Sequence, residues 1–148
     1  MGAMIPGVVL TPLREIGAPG GAVLHAMKNT DDGFAGFGEA YFSTIEQGAI
    51  KPWKRHLRMT LNLIVPVGQI RFVLRDGRNG SSGDGRIEAV TLSRTGNYQR
   101  LTVPPGIWMA FQGMAAPASM LLNLANLLHD PAEAERCPLD TFQFDWNS

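Results

Sequence analysis

Apolar and polar residues alternate along this chain in short runs, and glycine or proline ends almost every run. Such runs cover residues 8–13, 22–27, 39–45, 59–65, 69–74, 87–92, 99–103, 107–112, 119–124 and 142–146. A period of two is the mark of strands, whose successive side chains point to opposite faces. In 69–74 it places Ile70, Phe72 and Leu74 on one face. In 59–65 it groups Leu61, Leu63 and Val65 against Thr60, Asn62 and Ile64. Asn62, polar among apolar neighbours, either faces a cavity or is hydrogen-bonded within the core. Many short strands at this spacing predict an all-β sandwich or barrel.

Helix is predicted only near the end. Residues 115–129 suit a buried strand or a short helix equally, because periodicity does not decide. Residues 131–136 read as a helical turn, with Asp130 as N-cap and Pro131 in first position. Residues 76–85 consist of Gly, Ser, Asp, Asn and Arg alone and predict a flexible surface loop.

At 148 residues the chain is expected to form one domain, with residues 1–3 read as a cloning remnant. Hydrophobic residues make up 45 % and charged residues 18 %, which excludes disorder. Lys+Arg and Asp+Glu are 13 each, so nothing suggests a nucleic-acid partner. Cys137 is the single cysteine, which fits a reducing compartment. There is no signal-peptide pattern and no run of the roughly 18–20 apolar residues that a membrane span needs. A cytoplasmic protein without a membrane partner is expected. No metal is expected either, since the three histidines show no HxH or HxxxH spacing.

The segment Lys51-Pro-Trp-Lys-Arg-His-Leu-Arg58 gathers four cations, a Trp and a His ahead of an apolar strand. In an extended segment Lys54, His56 and Arg58 share a face. The functional reading is a base flanked by cations that bind an anion such as a pyrophosphate. The alternative is an edge strand kept soluble by its charge. Neighbouring cations would lower the His56 pKa and leave it a neutral base near pH 7. His25 and His129 are weaker candidates, the first in an apolar run and the second at a helix boundary.

Residues 39–76 and 101–140 resemble the dTDP-4-dehydrorhamnose 3,5-epimerase family and its sugar-nucleotide isomerase relatives. The block from Tyr41 through Lys51-Pro-Trp-Lys-Arg-His56 is similar to that family's strand, turn and catalytic-histidine strand. Residues 61–76, with Gly68 at the hairpin, resemble the hairpin that follows. Leu101-Thr-Val-Pro-Pro-Gly-Ile-Trp-Met-Ala-Phe111 resembles its PPG turn, and 123–135 the segment after it.

The resemblance implies a double-stranded β-helix, the cupin jelly-roll barrel, with a short C-terminal helical segment. It implies a homodimer that takes a nucleotide-sugar substrate in the barrel mouth and uses no metal or other cofactor. Lys54 stands where metal-binding cupins have the first histidine of an HxH, and Met109 where they have a later one. The activity implied is epimerisation of a nucleotide-activated 4-keto-6-deoxysugar, in deoxysugar or surface-polysaccharide assembly. His56 would be the base and Asp140 the carboxylate that orients it. Lys51, Lys54 and Arg58 would meet the phosphates or the enolate oxygen. Tyr41, Asn62 and Asn123 would contact substrate. Asn123 stands where the family has its acid tyrosine, so inversion at a single centre is expected. A 3,4-ketoisomerase and a non-catalytic sugar-nucleotide-binding cupin are the alternatives.

Overall fold

The computed structural model describes residues 4–80 and 85–148. Its strands, in chain order, are β1 (Val9–Pro12), β2 (Glu15–Ala18), β3 (Gly21–Leu24), β4 (Glu39–Glu46), β5 (Ile50–His56), β6 (Leu61–Val67), β7 (Gln69–Asp76), β8 (Ile87–Ser93), β9 (Gln99–Val103), β10 (Ile107–Gly113), β11 (Ala118–Ala125) and β12 (Ala134–Arg136). One antiparallel sheet has the order β1-β9-β6-β11-β4, and a second β12-β5-β10-β7-β8. β2 and β3 form a separate hairpin. From β4 to β7 and again from β8 to β12 successive strands alternate between the two sheets, so the chain winds around a common core as a cupin jelly roll.

The period of two does the sorting. Leu61, Leu63 and Val65 of β6 face Ile70, Phe72 and Leu74 of β7 across one buried cluster, joined by Leu101, Ile107 and Leu121. Each such side chain, fully buried, contributes about 1.5–3 kcal/mol relative to exposure. β6 and β7 do not pair as the hairpin that the resemblance implies; the chain crosses from one sheet to the other at Gly68, whose φ is +81°. A Cβ there would lie 2.2 Å from Ser119 Oγ, so only glycine fits.

A second cluster covers the outer face of the second sheet. Trp53, Val73 and Ala110 are buried there beneath Phe142, Phe144 and Trp146. The Trp53 ring meets Phe142 edge-to-face at 5.2 Å, and its Nε1 donates to Leu139 O at 2.9 Å.

For residues 115–129, where periodicity leaves strand and helix open, the structure has strand β11. Three further expectations need correction. Residues 142–146 alternate like a strand but pair with none; Phe142, Phe144 and Trp146 instead pack against Trp53, Val73 and Ala110, which accounts for the same alternation. The helical turn at 131–136 is a single 3₁₀ turn, Pro131–Glu133, because the backbone beyond it pairs with β5 as β12. In the loop read at 76–85, Asp76 is buried at the end of β7 and binds Arg78, with Oδ1 2.9 Å from Nε. Residues 81–84 of that loop and residues 1–3 lie outside the described residues.

Candidate active site

A cavity of about 310 Å³ opens between the two sheets. The second sheet lines it with Lys51, Pro52, Lys54 and His56 of β5, Ile107, Met109 and Phe111 of β10, and Arg136 of β12. The first sheet lines it with Tyr41, Ser43 and Thr44 of β4, Leu61 of β6, Val103 of β9 and Asn123 of β11. Among the described residues no Asp or Glu lines it, while Lys51, Lys54 and Arg136 do. A cavity so walled favours an anion.

The cations share this wall because β5 carries one extra residue. Lys54 pairs with Met109 and Lys51 with Phe111, so Pro52 and Trp53 together oppose Ala110. This is a β-bulge, and Pro52, which has no N–H to give to a ladder, sits in it. Met109 and Phe111 point the same way, two residues apart. Their partners Lys54 and Lys51, three apart, therefore also point the same way. Lys54 and Met109, named above as standing at cupin metal-ligand positions, are thus cross-strand neighbours. Among the described residues, no three His, Cys, Asp or Glu side chains converge on one point.

His56 ends β5, and Glu133 holds its ring. Glu133 closes the 3₁₀ turn that Asp130 caps through Ala132 N at 3.0 Å. β12 then runs back along β5, pairing Ala134 with His56 and Arg136 with Lys54. The buried Glu133 carboxylate places Oε1 2.6 Å from His56 Nδ1. Its Oε2 accepts from Arg58 N at 2.8 Å and Met59 N at 2.7 Å. Burial alone would raise the Glu133 pKa; the hydrogen bonds from His56 and the two amides overcome it and hold it at about 2.

Burial lowers the His56 pKa below 6.5, with Lys54 and Arg136 acting in the same direction, and Glu133 only partly opposes them. At neutral pH the pair is therefore a neutral imidazole on an ionised carboxylate. A carboxylate only accepts, so Nδ1 carries the ring hydrogen and Nε2 keeps its lone pair for the cavity. Burial also lowers the Lys54 pKa, and the facing Arg136 adds to the effect.

The other predicted site residues divide. Tyr41 and Asn123 are cross-strand partners on the cavity wall. Asn123 Nδ2 donates to Ser43 Oγ at 3.1 Å. Asn62 does not reach this cavity: it lies on the opposite face of β6, buried, where Nδ2 donates to Gly33 O at 3.0 Å and Oδ1 accepts from Thr102 Oγ1. Arg58 lies beyond the end of β5, so the shared face predicted with Lys54 and His56 stops at His56. Its side chain is 65 % exposed and reaches Asp130 at 3.7 Å. Asp140 is not the carboxylate on His56; it is exposed in the 3₁₀ turn Leu139–Thr141, among the C-terminal aromatics. His25 and His129 also lie off this cavity.

Two residues escaped the sequence reading, Glu133 and Arg136. The Asp130-Pro131 cap marks a turn, but no local pattern separates Glu133, which turns inward, from Glu135, which pairs with Arg55 outside.

No protein-family model matches the chain. It is 40 % identical to a dTDP sugar isomerase from Desulfovibrio desulfuricans G20, covering 97 % of this chain and 92 % of that one, with a TM-score of 0.92. It is 27 % identical over 114 residues to a Haloferax volcanii protein described as a probable low-salt glycan biosynthesis epimerase, which spans 74 % of this chain and 72 % of that protein. A dTDP-4-dehydrorhamnose 3,5-epimerase of Bacillus anthracis, solved with TDP and pyrophosphate bound, shares the fold at a TM-score of 0.81 and 18 % identity, over 92 % of this chain and 81 % of that one.

Proposed function

The chain belongs to the dTDP-4-dehydrorhamnose 3,5-epimerase-like family of sugar-nucleotide epimerases and isomerases, and from that premise we propose that it epimerises a nucleotide-activated 4-keto-6-deoxysugar next to its C4 ketone. One observation carries the reading: a neutral, carboxylate-oriented His56 lines a cavity that also presents cations and, among the described residues, no acid.

The ketone acidifies the C–H bond at C3. His56 Nε2 takes that proton, and the C–H electron pair moves into a C3–C4 enolate. The imidazolium so formed is stabilised by Glu133, which stays ionised. The Lys54 ammonium, beside His56 on the same wall, stabilises the enolate oxygen. Lys51 and Arg136 meet the diphosphate. Return of a proton to the other face of C3 inverts it. The sugar nucleotide serves deoxysugar or surface-polysaccharide assembly in the cytoplasm. The working unit is a homodimer, a reading supported by apolar Ile16 and Val23 standing exposed on the β2–β3 hairpin.

The test is incubation with a dTDP-4-keto-6-deoxysugar in D₂O, followed by NMR. Deuterium at an inverted C3 is expected, and His56→Gln should cut exchange on the order of 10²–10⁴-fold. Undiminished exchange in that variant rejects His56 as the base. A second reading is favoured by the relative named a dTDP sugar isomerase. A 3,4-ketoisomerase would return the proton to C4, so deuterium at C4 with the ketone moved to C3 decides for it. Binding without any exchange decides for a non-catalytic module.

A further inference from the structure

Inversion at carbon needs a proton to arrive on the face opposite the one it left. His56 stands on β5 of the second sheet and serves one face. The donor for the other face must come from the cavity wall supplied by the first sheet. That wall offers Tyr41, Ser43, Thr44, Leu61, Val103 and Asn123. Leu61 and Val103 have no labile proton, and the amide of Asn123 is not an acid. Ser43 and Thr44 carry aliphatic hydroxyls, far weaker acids than a phenol, and Ser43 Oγ already accepts from Asn123. Tyr41 is left.

Its placement suits the role. In β4, Tyr41, Ser43 and Ile45 point inward by period two, and Ile45 anchors that face in the core. Tyr41 is 42 % exposed, which leaves its ring at the open rim where solvent can replace a lost proton. Asn123, opposite it in β11, donates toward both Tyr41 O and Ser43 Oγ, at 3.4 and 3.1 Å, and so ties β4 to the wall. Burial, and the charge of Glu39, raise the Tyr41 pKa above 10, so the hydroxyl keeps its proton at neutral pH.

Building on the epimerase reading, we propose that the Tyr41 hydroxyl protonates the enolate carbon on the face away from His56. The Tyr41 O–H bond breaks and a C–H bond forms. The enolate electron pair returns to carbon as the C4 carbonyl re-forms. The phenolate takes a proton from solvent, and the His56 imidazolium gives one up, so the cycle closes without a co-reactant.

The experiment compares Tyr41→Phe with the unmodified enzyme on a dTDP-4-keto-6-deoxysugar in D₂O, with dTDP affinity measured by calorimetry. The variant should still exchange the C3 proton within about tenfold of normal, with retention, because His56 can return a deuteron to its own face. Inversion should fall on the order of 10²-fold or more. Inversion at the normal rate overturns the proposal. So does an equal fall of exchange and inversion with dTDP affinity intact. If dTDP affinity is lost, the deciding measurement is a fluorotyrosine at position 41, which keeps the hydroxyl and lowers its pKa. The alkaline limb of inversion should then move to lower pH, and an unmoved limb overturns the proposal. Absence of any exchange by the unmodified enzyme overturns the epimerase reading itself, and this proposal with it.

Discussion

Glu133→Gln separates the charge of the buried carboxylate from its shape. Glu133 accepts three hydrogen bonds, from His56 Nδ1, Arg58 N and Met59 N. A glutamine of the same size has one acceptor oxygen; with that oxygen on the two backbone amides its nitrogen faces His56 Nδ1, and the ring keeps the contact only by moving its hydrogen to Nε2. The native carboxyl titrates at about 2 against an ordinary 4.5. At about 1.4 kcal/mol per tenfold change in proton affinity, that gap is worth about 3 kcal/mol. The sign follows from a depressed carboxylate pKa: the contribution is complete above pH 4.5 and is lost as pH falls toward 2. Urea titrations of both proteins between pH 2 and 7 give the difference in unfolding free energy. The native protein should lead by about 3 kcal/mol at neutral pH and lose that lead below pH 5. A lead that stays constant from pH 7 down to pH 3 would refute ionisation as its source. Exchange chemistry should fall as well, on the order of 10²–10⁴-fold, because the ring loses the acceptor that fixes its tautomer.

Lys54→Met removes an ammonium that burial and Arg136 already disfavour, so stability should hold or rise by up to about 1 kcal/mol while exchange falls on the order of 10²-fold; thermal melts and D₂O exchange read the two separately. The acid limb of the exchange profile should lie below pH 6.5, since the base must be neutral and its pKa is lowered; a limb at pH 7 or above contradicts this. Asp140→Asn and Arg58→Ala should each leave exchange within about twofold and stability within about 0.5 kcal/mol, as surface changes do. A tenfold loss of dTDP affinity in Arg58→Ala would return that side chain to the phosphates. Trp53→Ala should cost about 3–5 kcal/mol in urea and expose residues 137–146 to protease, because the C-terminal aromatics lose the ring on which they rest.

The long strands were legible because each has one face in the core. Ile70, Phe72 and Leu74 declare β7 by their spacing alone, and Leu61, Leu63 and Val65 declare β6. β5 declared its chemistry but not its geometry. Its cations are plain in the sequence, yet a bulge has no compositional signature, so Lys51 could not be put on the face of Lys54 by counting. β12 escaped because it is short and polar and forms only against the edge of β5. The family resemblance points to Asp140 alone, whereas a carboxylate reaches His56 only where the chain doubles back beside it, at Glu133. Asn62 and Asn123 read alike as polar residues in apolar strands. Opposite faces of one sheet give the first to the scaffold and the second to the cavity.

The extra residue in β5 acts as a phase shift. Everything before Pro52 is rotated by half a period relative to everything after it. Deleting Pro52 would leave Lys51 two residues from Lys54, and ordinary alternation would then hold both on the cavity wall, with the strand still paired to β10. One missing codon would thus straighten the strand without separating the grip on the nucleotide from the chemistry on the sugar. Straightening it with Pro52 retained would instead swing Lys51 away and leave the proton-transfer machinery in place.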